Sequence, residues 1–305
     1  MPTTIGVIAA DEIAVGLVED HQLSGAIHLY PEAGRNSKEE VVSGLQSLPP
    51  DEIASVIYRQ IVAVCRDKAI EVRNLTAIGI GFPGIIRDGI VEDSPNLKQV
   101  KGLNLKGNII TALGGAQVPI LILNDADAMA AGIAATRKQL EKLIRVWTLG
   151  NGIGFGRYPR AEGVWEGGHM VVTLEPKEQF CGCGGQGHLE GIMGHRAMRL
   201  RFLDMEPEEV FANARTGDAR CVAFAKLWHR ALAAATATSI HLDGCGKFFI
   251  SGPNAKFVDV GLISQYLNDM VKMSPLQGSV FEVVPTSTET AIIGAAVNAE
   301  RAAAA

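Results

Sequence analysis

The sequence has no excess of positive charge. Its 305 residues include 28 Lys and Arg against 33 Asp and Glu, a formal net charge of -5 at pH 7. A protein that binds the phosphate backbone of nucleic acids needs clustered basic side chains to release counterions. We therefore expect no nucleic-acid partner.

Long hydrophobic runs and a secretory leader are also absent. No apolar stretch reaches the roughly 18 to 20 residues that span a bilayer, and the longest weakly polar one, Ala231 to Ile240, contains Thr and Ser. The first residues show no basic segment followed by an apolar one, and five cysteines cannot all pair with one another. We expect no membrane anchor and a reducing compartment, with the cytoplasm as the default.

Aromatic residues are few, at 6%, whereas glycine is frequent, at 34 residues. The 47% hydrophobic and 20% charged content excludes a disordered chain and is typical of globular proteins. Many glycines suit the tight turns of α/β enzymes, and the length corresponds to about two domains on a prior of roughly 150 residues each.

Apolar runs predict strands that alternate with helices. Residues 4–8 and 13–18 flank a short segment and predict a β-hairpin. A helix is predicted from Asp51 to about Val72, because its apolar residues recur every three or four positions. Further strands are predicted at 76–82, 119–124, 145–149 and 247–250, and a last helix with Thr288 as its N-cap.

Asn124 and Asp125 directly follow one of these buried strands. A carboxylate at the carboxyl end of such a strand faces the region where open α/β sheets bind ligands, so Asp125 is a candidate general base. On this segment alone, the commoner interpretation is that Asp125 or Asp127 caps the next helix.

Another strand leads into Thr148-Leu-Gly-Asn-Gly-Ile-Gly154. Alternating glycines expose main-chain N–H groups that can cradle phosphate oxygens. Without supporting motifs, a simple hairpin turn explains this loop equally well.

The most specific feature is a group of potential metal ligands, two imidazoles and two thiols: His169, Cys181, Cys183 and His188. Four such ligands complete a tetrahedral zinc site, and a closed set predicts a structural metal. The alternative is two unliganded cysteines and two hydrogen-bonded histidines. Glu166 and Glu190 lie next to candidate ligands, so a metal would orient two carboxylates suited to a polyol such as a sugar; alone they would be surface charges.

These motifs together resemble the ROK family of sugar kinases and sugar-responsive repressors over nearly the whole chain. The segments that carry the resemblance are Gly79 to Gly84, Ser94 to Leu97, Leu123 to Asp127, Thr148 to Gly154, Glu166 to His169, Cys181 to Glu190, Glu209 to Asp218, Ile250 to Asn254 and Ile293 to Ala296.

The resemblance implies an α/β, actin-like (ribonuclease H-like) fold of two domains with an interdomain cleft that binds sugar and nucleotide. We expect a smaller domain formed by residues 1–117 and 288–305, and a larger domain of residues 118–287 that carries the zinc motif. The family also suggests a homodimer.

The resemblance further implies roles for individual residues. Asp125 corresponds to the base that takes the proton of the attacking sugar hydroxyl. The implied sugar ligands are Gly84, Asn96, Asn124, Asp125, Glu166, His169 and Glu190. The implied nucleotide contacts of the two glycine-containing loops are Gly150, Asn151, Gly152, Gly154, Gly252, Pro253 and Asn254.

Two positions depart from the family pattern. His188 stands where the family has a third cysteine, which changes the zinc ligands from Cys3His to Cys2His2, an equally suitable set. The first hairpin reads Ile8-Ala-Ala-Asp-Glu12 instead of Asp-x-Gly-Gly-Thr. The methyl groups of Ala9 and Ala10 obstruct the close approach of a triphosphate. The negative charges of Asp11 and Glu12 each repel it by about 2–3 kcal/mol at roughly 6 Å. If Asp11 or Glu12 holds Mg²⁺, the repulsion becomes attraction.

Two functions follow from these observations. The leading hypothesis is a sugar kinase that uses ATP and Mg²⁺; the alternative is a sugar-binding pseudokinase or sensor that has lost phosphoryl transfer. The first predicted strand begins near Thr4, so we do not expect an upstream helix-turn-helix or a repressor. The resemblance implies that the sugar is a glucose-like hexose or an N-acetylhexosamine, and the sequence alone does not identify it further.

Overall fold

The computed structural model describes residues 2–10, 12–31, 44–161, 163 and 166–304. The chain divides into two compact units. The first comprises Met1–Ile144, Gly156–Val164 and Ser287–Ala305, and the second comprises Arg145–Phe155 and Trp165–Thr286.

The described residues form twelve strands and nine α-helices. The strands are β1 (Thr3–Ala9), β2 (Ile13–Glu19), β3 (Gln22–Leu23), β4 (His28–Tyr30), β5 (Ala77–Phe82), β6 (Ile85–Arg87), β7 (Ile90–Asp93), β8 (Ile120–Asn124), β9 (Ile144–Leu149), β10 (Ile153–Tyr158), β11 (Lys247–Ser251) and β12 (Val280–Val283). The helices are α1 (Pro50–Asp67), α2 (Leu105–Ala112), α3 (Asp125–Thr136), α4 (Leu189–Met193), α5 (His195–Arg201), α6 (Pro207–Thr216), α7 (Ala219–Asp243), α8 (Val260–Met270) and α9 (Thr288–Ala303).

The first unit is built on one mixed sheet with the strand order β3-β2-β1-β5-β8, to which β4 is added beside β2. β1 and β2 form the predicted antiparallel hairpin, in which Ala9 pairs with Ile13. β1, β5 and β8 run parallel, and their apolar residues are buried with those of α1 and α2. This arrangement brings the carboxyl ends of three strands to one edge of the sheet.

Helix α9 returns to this sheet and packs closely against it and against α3. A Cβ at Gly79 of β5 would lie 1.9 Å from the carbonyl oxygen of Ala295, and one at Gly294 would lie 1.8 Å from that of Ala128. Such distances exclude any side chain, so the two glycines allow direct contact between the backbones. α9 thereby holds the helix that begins with Asp125.

The second unit contains a four-stranded sheet with the order β10-β9-β11-β12, in which β9, β11 and β12 are parallel. Its core joins the sheet to α4, α7 and α8 and includes the buried side chains of Trp147, Phe211 and Trp228. The indole Nε1 of Trp147 donates to Oγ1 of Thr236 on α7 at 3.1 Å, so the polar atom of this core residue is satisfied.

The units divide the chain differently from the predicted domains. Residues 118–144, which we expected in the larger domain, belong to the first unit. The reason is that β8 pairs in parallel with β5, from Ile78 opposite Ile120 to Phe82 opposite Asn124. Strand pairing therefore places the candidate base in the first unit.

Two helix ends also differ from the predictions. α1 ends at Asp67 instead of near Val72, because Ala69 adopts a positive φ of 53° that breaks the helix. The N-cap of α9 is Ser287, whose side chain accepts from the N–H of Thr290, and not Thr288. In the part of the chain that the structure describes, no helix combines the length and the apolar character needed to cross a bilayer.

Candidate functional site

Asp125 is the first residue of α3, directly after the carboxyl end of β8. Its Oδ1 accepts from the N–H of Ala126 at 3.0 Å. Asn124, rather than Asp125, is the N-cap: its Oδ1 accepts from the same N–H at 2.9 Å, and its Nδ2 donates to the carbonyl oxygen of Gly84 at 3.0 Å. Asn124 therefore caps the helix, and Asp125 occupies its first turn at the carboxyl edge of the sheet.

The other two sugar candidates of the first unit lie on the loop after β5 and beyond β7. Gly84 has a positive φ of 111°, and a Cβ there would lie 2.3 Å from the carbonyl oxygen of Asp93, so only glycine fits. Asn96 is exposed, next to the buried Ser94. The structure brings Gly84 to Asn124, whereas Asn96 lies on the segment after β7.

Asp127 lies in the first turn of α3 and is 8% exposed. Its Oδ1 accepts from the main-chain N–H of Arg157 at 3.0 Å. Burial raises the pKa of Asp127 to about 6, and the charge of Asp125 adds to the increase, while the Arg157 N–H and the charges of Arg160 and Arg157 oppose it. Asp127 is thus a buried carboxylate beside the candidate base, whereas its spacing alone suggested only a helix cap.

The first hairpin places its unusual residues beside β5 and near the start of α3. Ile8 lies opposite Gly81, and a Cβ at Gly81 would lie 2.7 Å from Cδ1 of Ile8 and 3.4 Å from Cα of Asp125. The apolar Ile8 side chain therefore packs toward the start of α3, where the family pattern has an acid. Glu12 is exposed, and Asp11 lies outside the described residues.

The two predicted phosphate loops meet in the second unit. Gly150 and Gly152 form the turn between the neighbouring strands β9 and β10, with the N–H of Gly150 donating to the carbonyl oxygen of Gly152 at 3.0 Å. Nδ2 of Asn254, from the loop after β11, donates to the carbonyl oxygen of Gly150 at 3.0 Å. This loop is therefore a hairpin turn, and it is held by the second loop.

A residue that sequence reasoning missed also holds this turn. The N–H of His195, the first residue of α5, donates to the carbonyl oxygen of Gly150 at 2.9 Å. Its Nδ1 lies 3.4 Å from Oδ1 of Asn254. With Asn151 it lines a cavity of about 580 Å³ between the turn, α5 and the start of α6. In the sequence, the position of His195 after Gly194 at a helix start was the signal that could have identified it.

In the loop after β11, Gly252 has a positive φ of 99°, and a Cβ there would lie 2.4 Å from the carbonyl oxygen of Leu149. Pro253 lies 3.8 Å from the point where a Cβ on Gly150 would sit. Gly154 lies on β10, beyond the turn. The close approach of the two loops therefore depends on Gly252 having no side chain.

The four predicted metal ligands converge, although they come from three parts of the chain. Sγ of Cys181 lies 3.4 Å from Nδ1 of His169 and 3.4 Å from Sγ of Cys183. Nδ1 of His188 lies 3.2 Å from Sγ of Cys183 and 3.3 Å from Nδ1 of His169. The imidazole of His188 thus reaches the other candidate ligands.

This geometry fits zinc. Tetrahedral zinc with bonds of about 2.0–2.3 Å separates its ligand atoms by roughly 3.3–3.8 Å, close to the distances found. Among the described residues, these four form the group of three or more His, Cys, Asp or Glu side chains that could hold a metal, with ligand atoms within 4.8 Å of one another. Burial raises the pKa of the Cys181 thiol to about 12, so a metal would have to displace its proton.

The two candidate sugar carboxylates of the second unit lie beside this group. Oε2 of Glu166 lies 3.9 Å from Nε2 of His169. Glu190 is 6% exposed; its Oε2 accepts from the N–H of Ile153 at 3.0 Å, and its Oε1 lies 3.7 Å from Sγ of Cys181. Because His169 would bind a metal through Nδ1, its Nε2 would carry a proton and act as a donor. Through these two contacts, Glu190 links the candidate metal ligand Cys181 to Ile153, the residue that follows the glycine turn.

Comparison with known proteins gives the family of this chain. A model of the ROK family matches residues 27–301. The chain belongs to the ROK family, as its motifs predicted.

Individual relatives agree with this assignment. A glucokinase from Pyrobaculum calidifontis is 27% identical over 209 residues, which cover 62% of this chain and 68% of that protein. The ROK hexokinase from Thermus thermophilus superposes with a TM-score of 0.74 at 21% identity over 97% of both chains. A ROK family glucokinase from Streptomyces griseus, solved with glucose and AMPPNP, has a TM-score of 0.64 at 21% identity, covering 96% of this chain and 98% of that one. These structures confirm the predicted α/β, actin-like two-domain fold.

Proposed function

We propose that this protein is a ROK-type sugar kinase that transfers the γ-phosphoryl group of ATP to a hydroxyl of a glucose-like hexose or an N-acetylhexosamine. The hydroxyl oxygen bonds to the γ-phosphorus, the bond from that phosphorus to the β–γ bridging oxygen breaks, and ADP leaves. The hydroxyl proton passes to Asp125. Phosphoryl transfer depends mainly on positioning and charge neutralisation, with a carboxylate that orients the nucleophile.

The observation that carries this proposal is the position of Asp125. It follows a buried parallel strand and starts α3, while Asn124 supplies the helix cap and is itself held by Gly84. A carboxylate at the carboxyl end of a buried parallel strand lies where open α/β sheets bind ligands, so it is suited to act as a base.

The sugar ligands of the proposal are Glu166, His169 and Glu190, with Gly84, Asn96 and Asn124 from the first unit. Zinc at His169, Cys181, Cys183 and His188 would fix the loop geometry as a structural metal and supply no step of the reaction. It would hold Nδ1 of His169, so that Nε2–H donates to a sugar hydroxyl. Glu190, whose Oε2 is held by the Ile153 N–H, accepts hydrogen bonds from sugar hydroxyls.

The nucleotide would bind at the turn of Gly150, Asn151 and Gly152 and at the loop of Gly252, Pro253 and Asn254. Their mutual hydrogen bonds hold the turn and the loop together before a ligand arrives. Mg²⁺ bound to the triphosphate would neutralise its charge; it needs only one or two protein carboxylates, for which we propose Asp11 or Glu12. A cytoplasmic homodimer is part of the same proposal.

The alternative function is a sugar-binding sensor without transfer, and one observation favours it. Ile8 places an apolar side chain against Gly81, near Asp125, and Ala9 and Ala10 take the places of glycines. Fewer main-chain N–H groups can then approach a phosphate. This change affects the donor and leaves the proposed sugar ligands intact.

An assay of sugar-dependent ADP release across a panel of hexoses and N-acetylhexosamines tests the proposal, with Asp125→Asn as the control. We expect turnover with at least one sugar and a loss of kcat of at least about 100-fold in Asp125→Asn, with sugar binding retained. Calorimetric sugar binding without turnover above that variant would establish the sensor instead.

A further inference from the structure

Arg201, the last residue of α5, pairs with Glu178 through two hydrogen bonds. Nη1 donates to Oε1 at 2.9 Å, and Nη2 donates to Oε2. The two side chains are only 18% and 11% exposed. A paired, two-pronged contact of this kind is the strong form of an Arg–carboxylate interaction.

The guanidinium of Arg201 also lies over two aromatic rings. Its Cζ is 4.4 Å from the centroid of Phe180 and 5.4 Å from that of Phe224 on α7. Such stacking restricts the plane of the guanidinium and strengthens the contact where water is excluded. We call Glu178, Phe180, Arg201 and Phe224 the Arg201 clamp.

The clamp holds both ends of the loop that carries three of the four metal ligands. Phe180 directly precedes Cys181 in the chain. The carbonyl oxygen of Glu178 accepts from the N–H of Gly187 at 2.7 Å, and Gly187 directly precedes His188. Residues 178 and 187 therefore close the loop that contains Cys181, Cys183 and His188.

We propose that Arg201 is a positioning residue for the metal group: by holding Glu178 and Phe180 it keeps Cys181 and His188 at ligand distance and slows the loss of zinc. The inference rests on the proposed zinc site and not on the proposed sugar reaction. Groups that orient metal ligands typically change metal affinity by about 10- to 100-fold when they are removed.

The chain offers a matched control. Arg220 donates through Nη1 to both carboxylate oxygens of Asp204, at 3.2 and 3.1 Å, and lies 4.4 Å from the centroid of Phe202. This pair is 53% and 62% exposed. Arg220 thus has the same kinds of partner as Arg201. Its Nη2 also donates to the main-chain carbonyl oxygen of Arg201 at 3.4 Å, but none of these contacts is to residues 178–188.

The experiment compares the zinc-loaded full chain with its Arg201→Lys and Arg220→Lys variants. Lysine keeps the charge but has neither the planar fork nor the stacking face. We expect a chromogenic chelator to remove zinc from Arg201→Lys about tenfold faster than from the wild type, and from Arg220→Lys at a rate within about twofold of it. Glu178→Gln serves as a second variant, with faster release expected in the same direction.

Melting temperatures of zinc-loaded and zinc-free protein separate positioning from general stability. We expect Arg201→Lys to reduce the increase in Tm that zinc produces. Equal release rates for wild type and Arg201→Lys, or an equal Tm loss with and without zinc, would overturn the role of Arg201. Failure of the wild type to bind zinc would overturn the metal site itself, whatever the result of the kinase assay.

Discussion

The main-chain N–H of Arg157 donates to Oδ1 of Asp127 at 3.0 Å, which ties the end of β10 to the first turn of α3. Gly156 makes this contact possible, because a Cβ there would lie 1.9 Å from the carbonyl oxygen of Ala126. The contact holds the buried carboxylate of Asp127, which follows the proposed base Asp125 by two residues, against the end of β10.

Asp127→Asn is expected to change how stability depends on pH. Burial raises the pKa of Asp127 to about 6 in the folded protein, so between about pH 4 and pH 6 the folded protein holds a proton that the unfolded chain releases. The free energy of unfolding therefore decreases as pH rises through this window. The asparagine variant lacks this decrease, so its stability relative to the wild type should rise by on the order of 2–3 kcal/mol from pH 4 to pH 7.

Urea denaturation at several pH values measures this difference. The exposed pair Asp269 and Lys272 supplies Asp269→Asn as the matched carboxylate-to-amide control at the surface. A constant difference between Asp127→Asn and the wild type from pH 4 to pH 7 would contradict the assignment of a raised pKa to Asp127.

Gly185→Ala is expected to lower zinc binding. A Cβ at Gly185 would lie 2.0 Å from Cε1 of His188, so the imidazole must leave its place near Cys183. Elemental analysis after purification should give substoichiometric zinc. Gly261→Ala, where the nearest atom would be 3.3 Å away, should keep the zinc content of the wild type; equal zinc in both variants would show that His188 is not a ligand.

Asn254→Ala is expected to weaken binding of the phosphoryl donor. The change removes the hydrogen bond from Nδ2 to the carbonyl oxygen of Gly150, although the N–H of His195 still reaches that oxygen. A loss of about 1–1.5 kcal/mol corresponds to roughly a tenfold higher KM for ATP. Steady-state kinetics with each substrate varied should show an unchanged KM for the sugar. The control variant Asn108→Ala, at an exposed position, should change neither the KM for ATP nor the KM for the sugar. A rise in the KM for the sugar alone would contradict the placement of the nucleotide.

Ala10→Gly is expected to improve the use of the donor if the first hairpin contacts phosphate. Removing this methyl group restores one glycine of the family pattern, at a stability cost of about 0.5–1 kcal/mol. The KM for ATP should fall severalfold, whereas Ala10→Ser, which retains a Cβ, should leave it unchanged. Identical donor kinetics for the wild type and both variants would show that the hairpin does not contact the donor.

Patterns that involve neighbouring residues were readable from the sequence. The buried strands, the hairpin at 4–8 and 13–18, and the position of Asp125 after a strand follow from apolar periodicity and turn chemistry, which act over a few residues. The candidate metal ligands were recognisable by type and spacing, since three of them lie within residues 181–188. The N-cap Ser287 and the end of α1 were placed one to five residues away, because local propensity defines helix ends poorly.

Contacts between distant segments were decided by the tertiary structure. Asn254 meets Gly150 across 104 residues, and the pairing of β8 with β5 assigns residues 118–144 to the first unit. The raised pKa of Asp127 and the Arg201 clamp depend on burial by other elements, which no local pattern encodes. The sequence by itself therefore determined the family, the fold class and the chemical types at the site. Only the packing of the chain decided which of those groups are buried, which touch, and which hold the others in place.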